Sequence, residues 1–234
     1  MLSSKTRHIG VVACSAEGAA LCYRTICQEG AQFLGAHGHP EVTLHSASLS
    51  EYMSHIYRSD WHGVADVMLE SAEKLKKAGA DFLICPDNTL HQALPLVAPR
   101  SPLPWLHIAE VVAARALELG YRRVGILGTR WLVESDVYPA ALAARGVQFV
   151  LPEPSERGEL NRIIMDELVC GLFKPEALAF QQGLIERMKR EGCDAVILGC
   201  TEIPLIVSDA NSALPTLDST RLLARAALRR ALER

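Results

Sequence analysis

One strand-to-turn segment occurs twice in this chain of 234 residues, and it constrains the fold more than any other feature. Gly79-Ala80-Asp81-Phe82-Leu83-Ile84-Cys85-Pro86-Asp87-Asn88-Thr89-Leu90 lies without a gap over Gly192-Cys193-Asp194-Ala195-Val196-Ile197-Leu198-Gly199-Cys200-Thr201-Glu202-Ile203. The offset is 113 residues, so Asp87 and Cys200 are equivalent positions. Ile9-Gly10-Val11-Val12-Ala13 and Val124-Gly125-Ile126-Leu127-Gly128 repeat at nearly the same offset, 115. The chain therefore reads as two copies of one unit.

Each copy alternates short apolar runs with longer stretches of helical spacing. The strands expected are 8–13, 42–46, 82–85, 105–108, 124–127, 147–151 and 195–198. Most are continuously apolar and several are rich in Val and Ile, which suits strands covered on both faces. Helices are expected over 19–34, 60–77, 109–119, 136–144, 157–169 and 175–191. Such alternation predicts an α/β fold with parallel sheets, right-handed crossovers and helices on the sheet faces. Ligand sites in sheets of this kind form beyond the carboxyl ends of the strands. Four prolines between positions 95 and 104 cannot continue a helix or occupy a central strand, which puts the divide there. The halves expected are 1–104 and 105–214, with 215–234, including a last helix over 219–232, completing the first.

Composition narrows the function by exclusion. A net charge of −3 and the lack of a long basic run argue against nucleic acid, and Lys74-Leu75-Lys76-Lys77 reads as a solvated helix end. No apolar run approaches the roughly 18 residues that span a bilayer, and the first eight residues lack the apolar core of a secretory signal. A cytosolic location is expected. The seven cysteines are then reduced thiols, not a disulfide framework. There is no Cys-x-x-Cys and no paired metal spacing. His37-Gly38-His39 reads as a surface turn, and no metal is expected. Dinucleotide and phosphate-loop glycine motifs are absent.

The chemistry concentrates at the repeated turns. Each sets a polar triplet just past a buried strand: Asp87-Asn88-Thr89 in one copy and Cys200-Thr201-Glu202 in the other. Backbone N–H groups there can hold a carboxylate, and a thiol in an amide-rich turn can act as a base. Acid/base groups from two equivalent halves can move a proton on and off either face of a carbon, as racemisation requires. The plainer readings are that Cys200 is one more small buried residue and that Asp87 caps the turn after it. Cys85 pairs with Leu198 in the repeat and belongs to the strand interior, and burial is the reading for the other five cysteines.

On these residues the sequence resembles the aspartate/glutamate racemase family over nearly its whole length. The matching pieces are Ile9-Gly10-Val11-Val12 leading into Ser15-Ala16-Glu17, then Asn88-Thr89-Leu90-His91, Gly128-Thr129, positions 163–174, and Gly199-Cys200-Thr201-Glu202. The last is the most specific, and its glutamate is similar to the aspartate-racemase branch. The resemblance implies two Rossmann-like halves about a pseudo-twofold axis, no cofactor, and two catalytic cysteines, one per half. It makes Cys200 the second catalytic cysteine and Asn88, Thr89 and Thr201 holders of the substrate carboxylate. Ser15, Thr129 and Glu202 fall on its other matched pieces and join the substrate-binding set.

The chain departs from the pattern at the first cysteine, where it has Asp87. The reference pKa of a carboxyl is about 3.9 against about 8.5 for a thiol, so the two acid/base groups would be unlike. Efficient donation from Asp87 near neutrality calls for burial or a neighbouring negative charge. Arg58, Lys174 and Arg130 are candidates to pair with a second substrate carboxylate. The glycine-rich loop of the family is replaced by Ala13-Cys14-Ser15-Ala16-Glu17-Gly18, which leaves the substrate open beyond aspartate. The expectation is a cofactor-independent isomerase acting at the α-carbon of a small carboxylate, most simply an amino acid, with Asp87 and Cys200 as its acid/base pair. Two alternatives stand beside it: a one-cysteine decarboxylase or lyase, and a catalytically silent binding protein for small carboxylates. No nucleic acid or membrane partner is expected, and a homodimer is the assembly considered.

Overall fold

The computed structural model describes residues 6–233, so the first five residues of the N-terminal segment read for a signal lie outside the described residues. The chain divides into two compact units, 1–108 with 223–234, and 109–222. The first contains β1 (Ile9–Ala13), α1 (Ala16–Leu34), β2 (Val42–Ser46), α2 (Leu49–Ile56), α3 (Trp61–Lys77), β3 (Phe82–Ile84), α4 (Leu94–Val97) and β4 (Trp105–Leu106). The chain then runs through α5 (Ile108–Glu118), β5 (Arg123–Leu127), α6 (Arg130–Val133), α7 (Val137–Ala143), β6 (Gln148–Val150), α8 (Pro154–Arg162), α9 (Pro175–Arg190), β7 (Ala195–Leu198), β8 (Thr216–Asp218) and α10 (Ser219–Leu232).

Each unit carries a four-stranded parallel sheet, in the order β2-β1-β3-β4 in the first and β6-β5-β7-β8 in the second. The orders correspond strand for strand, as a duplication requires. The central strands β1, β3 and β7 are buried at every residue, while the edge strands β2 and β6 leave Leu44 and Phe149 exposed. That contrast explains the continuous apolar runs: a strand covered on both faces has no polar side to alternate with. In the first unit α3 buries Val64, Met68 and Leu75 completely, at roughly 1.5–3 kcal/mol per large side chain.

The copies also repeat their hydrogen bonds. Asp81 Oδ2 accepts from His8 N–H (2.7 Å), and its equivalent Asp194 Oδ2 accepts from Arg122 and Arg123 N–H (2.6 and 3.0 Å). Gly79 and Gly192 turn each preceding helix into its strand at φ of 95° and 83°, a region that favours glycine. Asp60 caps α3 by accepting from Gly63 N–H at 3.0 Å, and Lys74, Lys76 and Lys77 sit in its last turn, where the helix dipole favours cations.

Three features differ from the sequence expectation. The expected divide falls before Trp105, but β4 pairs with β3, Leu83 opposite Trp105 and Ile84 opposite Leu106, which keeps 105–108 with the first unit. The strand β8 was not expected, because Leu217 is its only large apolar residue. Its signal lies in the duplication, since Leu103-Pro104-Trp105-Leu106 and Leu214-Pro215-Thr216-Leu217 repeat at an offset of 111. Ser101 and Ser212 even make the same paired bonds to Leu103 and Leu214. Finally, the single helix expected over 157–169 is α8 followed by a π-helical turn, Ile163–Leu168, in which Val169 N–H donates to Ile164 O at 2.9 Å. One wider turn leaves the apolar periodicity nearly unchanged, so spacing cannot reveal it.

The helix α10 starts in the second unit and ends in the first. There Arg225 pairs with Glu29 (2.8 Å) and Arg230 lies 5.1 Å over the Phe82 ring. Among the described residues no helix is long and apolar enough to cross a membrane, and no three His, Cys, Asp or Glu side chains gather as metal ligands.

Candidate active site

In the second unit β5 and β7 end side by side. Gly199 N–H donates to Leu127 O at 2.7 Å, which fixes the backbone where β7 gives way to the Cys200 turn. Cys200, Thr201 and Glu202 are all buried. The Cys200 thiol donates to Glu202 Oε2 at 3.0 Å, and the Thr201 hydroxyl donates to the same oxygen at 2.8 Å. The triplet is therefore one hydrogen-bonded group in which a buried carboxylate faces the thiol proton. Ser219 Oγ, from the start of α10, donates to Leu198 O at 2.8 Å and braces the strand end from the other side.

Thr129 follows β5 at the same edge and caps α6, its Oγ1 accepting from Leu132 N–H at 3.3 Å. Arg130 donates its backbone N–H to Asn161 Oδ1 at 2.9 Å, while its guanidinium lies 5.5 Å from the Trp131 ring centroid. That bond brings the end of α8 beside Thr129. Next to Asn161, Arg162 pairs with the buried Glu167 on the π turn (2.8 Å), and Glu167 pairs in turn with Lys174 (3.2 Å), which precedes α9. Arg162, with Lys174 behind it, holds the Glu167 carboxyl below its usual range against the opposing effect of burial. Lys174 is thus tethered at the carboxyl edge and half exposed.

In the first unit the corresponding edge carries Ser15 after β1 and the Asp87 turn after β3. Ser15 caps α1, accepting from Gly18 N–H at 3.3 Å. Asp87 is half-buried and one of its carboxylate oxygens accepts from Leu90 N–H at 3.0 Å, so the carboxylate does cap its own turn. Asn88 and Thr89 are buried just after it. Cys85 is fully buried, and burial, reinforced by the Asp87 charge, pushes its thiol well above the ordinary range. It packs as a neutral thiol. Arg58 is exposed in the turn between α2 and α3, its N–H donating to His55 O at 3.0 Å.

Two further residues join the site, both inside segments that carry the family resemblance but neither among the candidate acid/base or substrate-binding residues. One is Glu167, an acid between two cations. The other is His91, four residues after Asp87, whose Nδ1 lies 2.7 Å from the Asp87 carbonyl oxygen. The spacing of four in a tight turn was the available signal for His91. The signal for Glu167 was an Asp166-Glu167 pair set in an otherwise apolar run.

Residues 9–227 match the family model described as Asp/Glu/Hydantoin racemase. The chain is 24% identical over 161 residues to a broad-specificity amino-acid racemase of Bacillus subtilis, covering 68% of each. It is 32% identical over 172 residues to a glutamate racemase of Thermus thermophilus, covering 70% of this chain and 60% of the relative, so it spans under two thirds of that enzyme's length. A crystal structure from Yersinia pestis assigned to the Asp/Glu racemases superposes with a TM-score of 0.88 at 30% identity, covering 97% of this chain and all of the other.

Proposed function

Because the chain belongs to the Asp/Glu/hydantoin racemase family, we propose that it is an amino-acid racemase working without a cofactor, with Cys200 and Asp87 as its two acid/base groups. The observation that carries this reading is the 3.0 Å bond from the Cys200 thiol to the buried Glu202 carboxylate. A thiol that is to remove an α-proton must first lose its own, and Glu202 is the group in place to take it. The thiolate then accepts the substrate α-proton, and a proton delivered by the other group to the carbanionic carbon completes inversion. In the return direction the roles exchange. Asn88, Thr89 and Thr201, with the helix-capping hydroxyls of Ser15 and Thr129, bind the α-carboxylate and ammonium. Arg58 and Lys174 supply positive charge for an acidic side chain. The names of the similar proteins, broad-specificity and glutamate racemases, motivate screening both acidic and neutral amino acids.

The bond from Leu90 N–H to the Asp87 carboxylate favours a second reading, a one-thiol decarboxylase or lyase in which Asp87 only shapes its turn. Solvent deuterium exchange separates the two. A racemase labels the α-position of both enantiomers, whereas a one-thiol decarboxylase labels only its product. Cys200→Ser should abolish exchange with the fold intact, and near-normal exchange by that variant would overturn the role given to Cys200.

A further inference from the structure

We propose that His91 is the positioning residue for Asp87: a neutral strut that holds the Asp87 backbone to the far side of its turn and so aims its carboxylate. The proposal rests on the two-base reading above. His91 is 1% exposed. Its Nδ1 lies 2.7 Å from Asp87 O, and its Nε2 lies 3.2 Å from the backbone nitrogen of Ile108, the first residue of α5. A carbonyl oxygen can only accept and a backbone N–H can only donate, so Nδ1 carries the proton and Nε2 presents its lone pair. Both nitrogens are used and the tautomer is set by the partners. Burial, helped by the His107 ring 4.7 Å away, pushes the imidazole down to about 3 against the opposing effect of the Asp87 and Leu106 backbone carbonyls. His91 therefore transfers no proton near neutrality; its role is mechanical.

The strut is needed because the sheet stops short. The pairing of β3 with β4 covers only two residue pairs and ends at Ile84 and Leu106, three residues before Asp87. Past that point His91 carries the connection between the two strand ends. With Leu90 N–H on the carboxylate and His91 on the carbonyl, Asp87 is gripped at both ends of the residue. The duplication shows that the fold itself does not require a histidine here. The equivalent position in the second copy is Pro204, and the strand end there is braced by Ser219 instead. The imidazole accompanies the aspartate copy alone.

The test is α-deuterium exchange in deuterated water with each enantiomer of aspartate, glutamate and alanine, for the parent, Asp87→Asn, His91→Leu and His91→Asn. The expected result is that His91→Leu loses roughly tenfold or more in exchange of the same enantiomer that Asp87→Asn impairs, with the other enantiomer left within about twofold. His91→Asn, whose amide nitrogen can stand in for Nδ1, should lose less and keeps the test open should the leucine variant fail to fold. Equal loss on both enantiomers, or none in a folded His91 variant, overturns the positioning role while leaving the two-base reading in place. If Asp87→Asn itself is not selective, the two-base reading falls and this inference with it.

Discussion

Gly199→Ala tests the geometry on which the thiol site depends. A Cβ built on Gly199 would lie 2.7 Å from Leu127 O and 2.8 Å from Leu132 Cδ2. The leucine methyl can rotate away, but Leu127 O is backbone of the neighbouring strand and already accepts Gly199 N–H at 2.7 Å. The added methyl must push the end of β7 away from β5 by several tenths of an ångström. Overpacking of this kind costs about 1–3 kcal/mol, and weakening the last ladder bond adds about 0.5–1.5 kcal/mol. A total near 2–4 kcal/mol corresponds to a fall in Tm of roughly 5–15 °C for a protein of this size. Cys200 is the next residue, so the same shift moves its Sγ relative to Glu202, and a displacement of that order costs about tenfold or more in proton transfer. Circular dichroism melting reads the first effect and α-deuterium exchange the second. A variant that melts within about 1 °C of the parent and exchanges at the parent rate would refute the reasoning.

Three further outcomes follow from particular residues. Gly183, on α9, has open space where a Cβ would go, so Gly183→Ala should stabilise by about 0.5–1 kcal/mol in the same melting assay, in contrast to Gly199→Ala. Gln181 is fully buried on α9 and neither of its amide atoms has a hydrogen-bond partner among the described residues, so Gln181→Met should raise stability by about 1–3 kcal/mol in urea titration; a loss instead would show that the amide is satisfied in solution. The unfolded chain takes a proton at His91 near 6.5, whereas the folded one resists it down to about 3, so this residue makes the fold less stable as pH falls through that window. Denaturation at a series of pH values should therefore show the parent losing stability between these limits more steeply than His91→Asn.

The duplication, the alternation of strands with helices and the equivalence of Asp87 with Cys200 were legible in the chain itself. These are local or periodic properties: a strand buried on both faces must be apolar throughout, and a turn after it must be polar. Cys200, Thr201 and Glu202 share a turn by sequence alone, but that the Glu202 carboxylate folds back to the thiol depends on side-chain rotamers that no spacing encodes. The strand β8 exists because β7 offers it a partner, not because Thr216-Leu217-Asp218 has strong strand character. The π turn, the Arg162–Glu167–Lys174 tether and the His91 strut likewise join residues through backbone geometry and burial. Sequence determined where polar chemistry could sit, since water and burial act on each residue in turn. Tertiary structure decided which polar groups meet, since a hydrogen bond depends on the distance and angle between two groups that only the folded chain brings together.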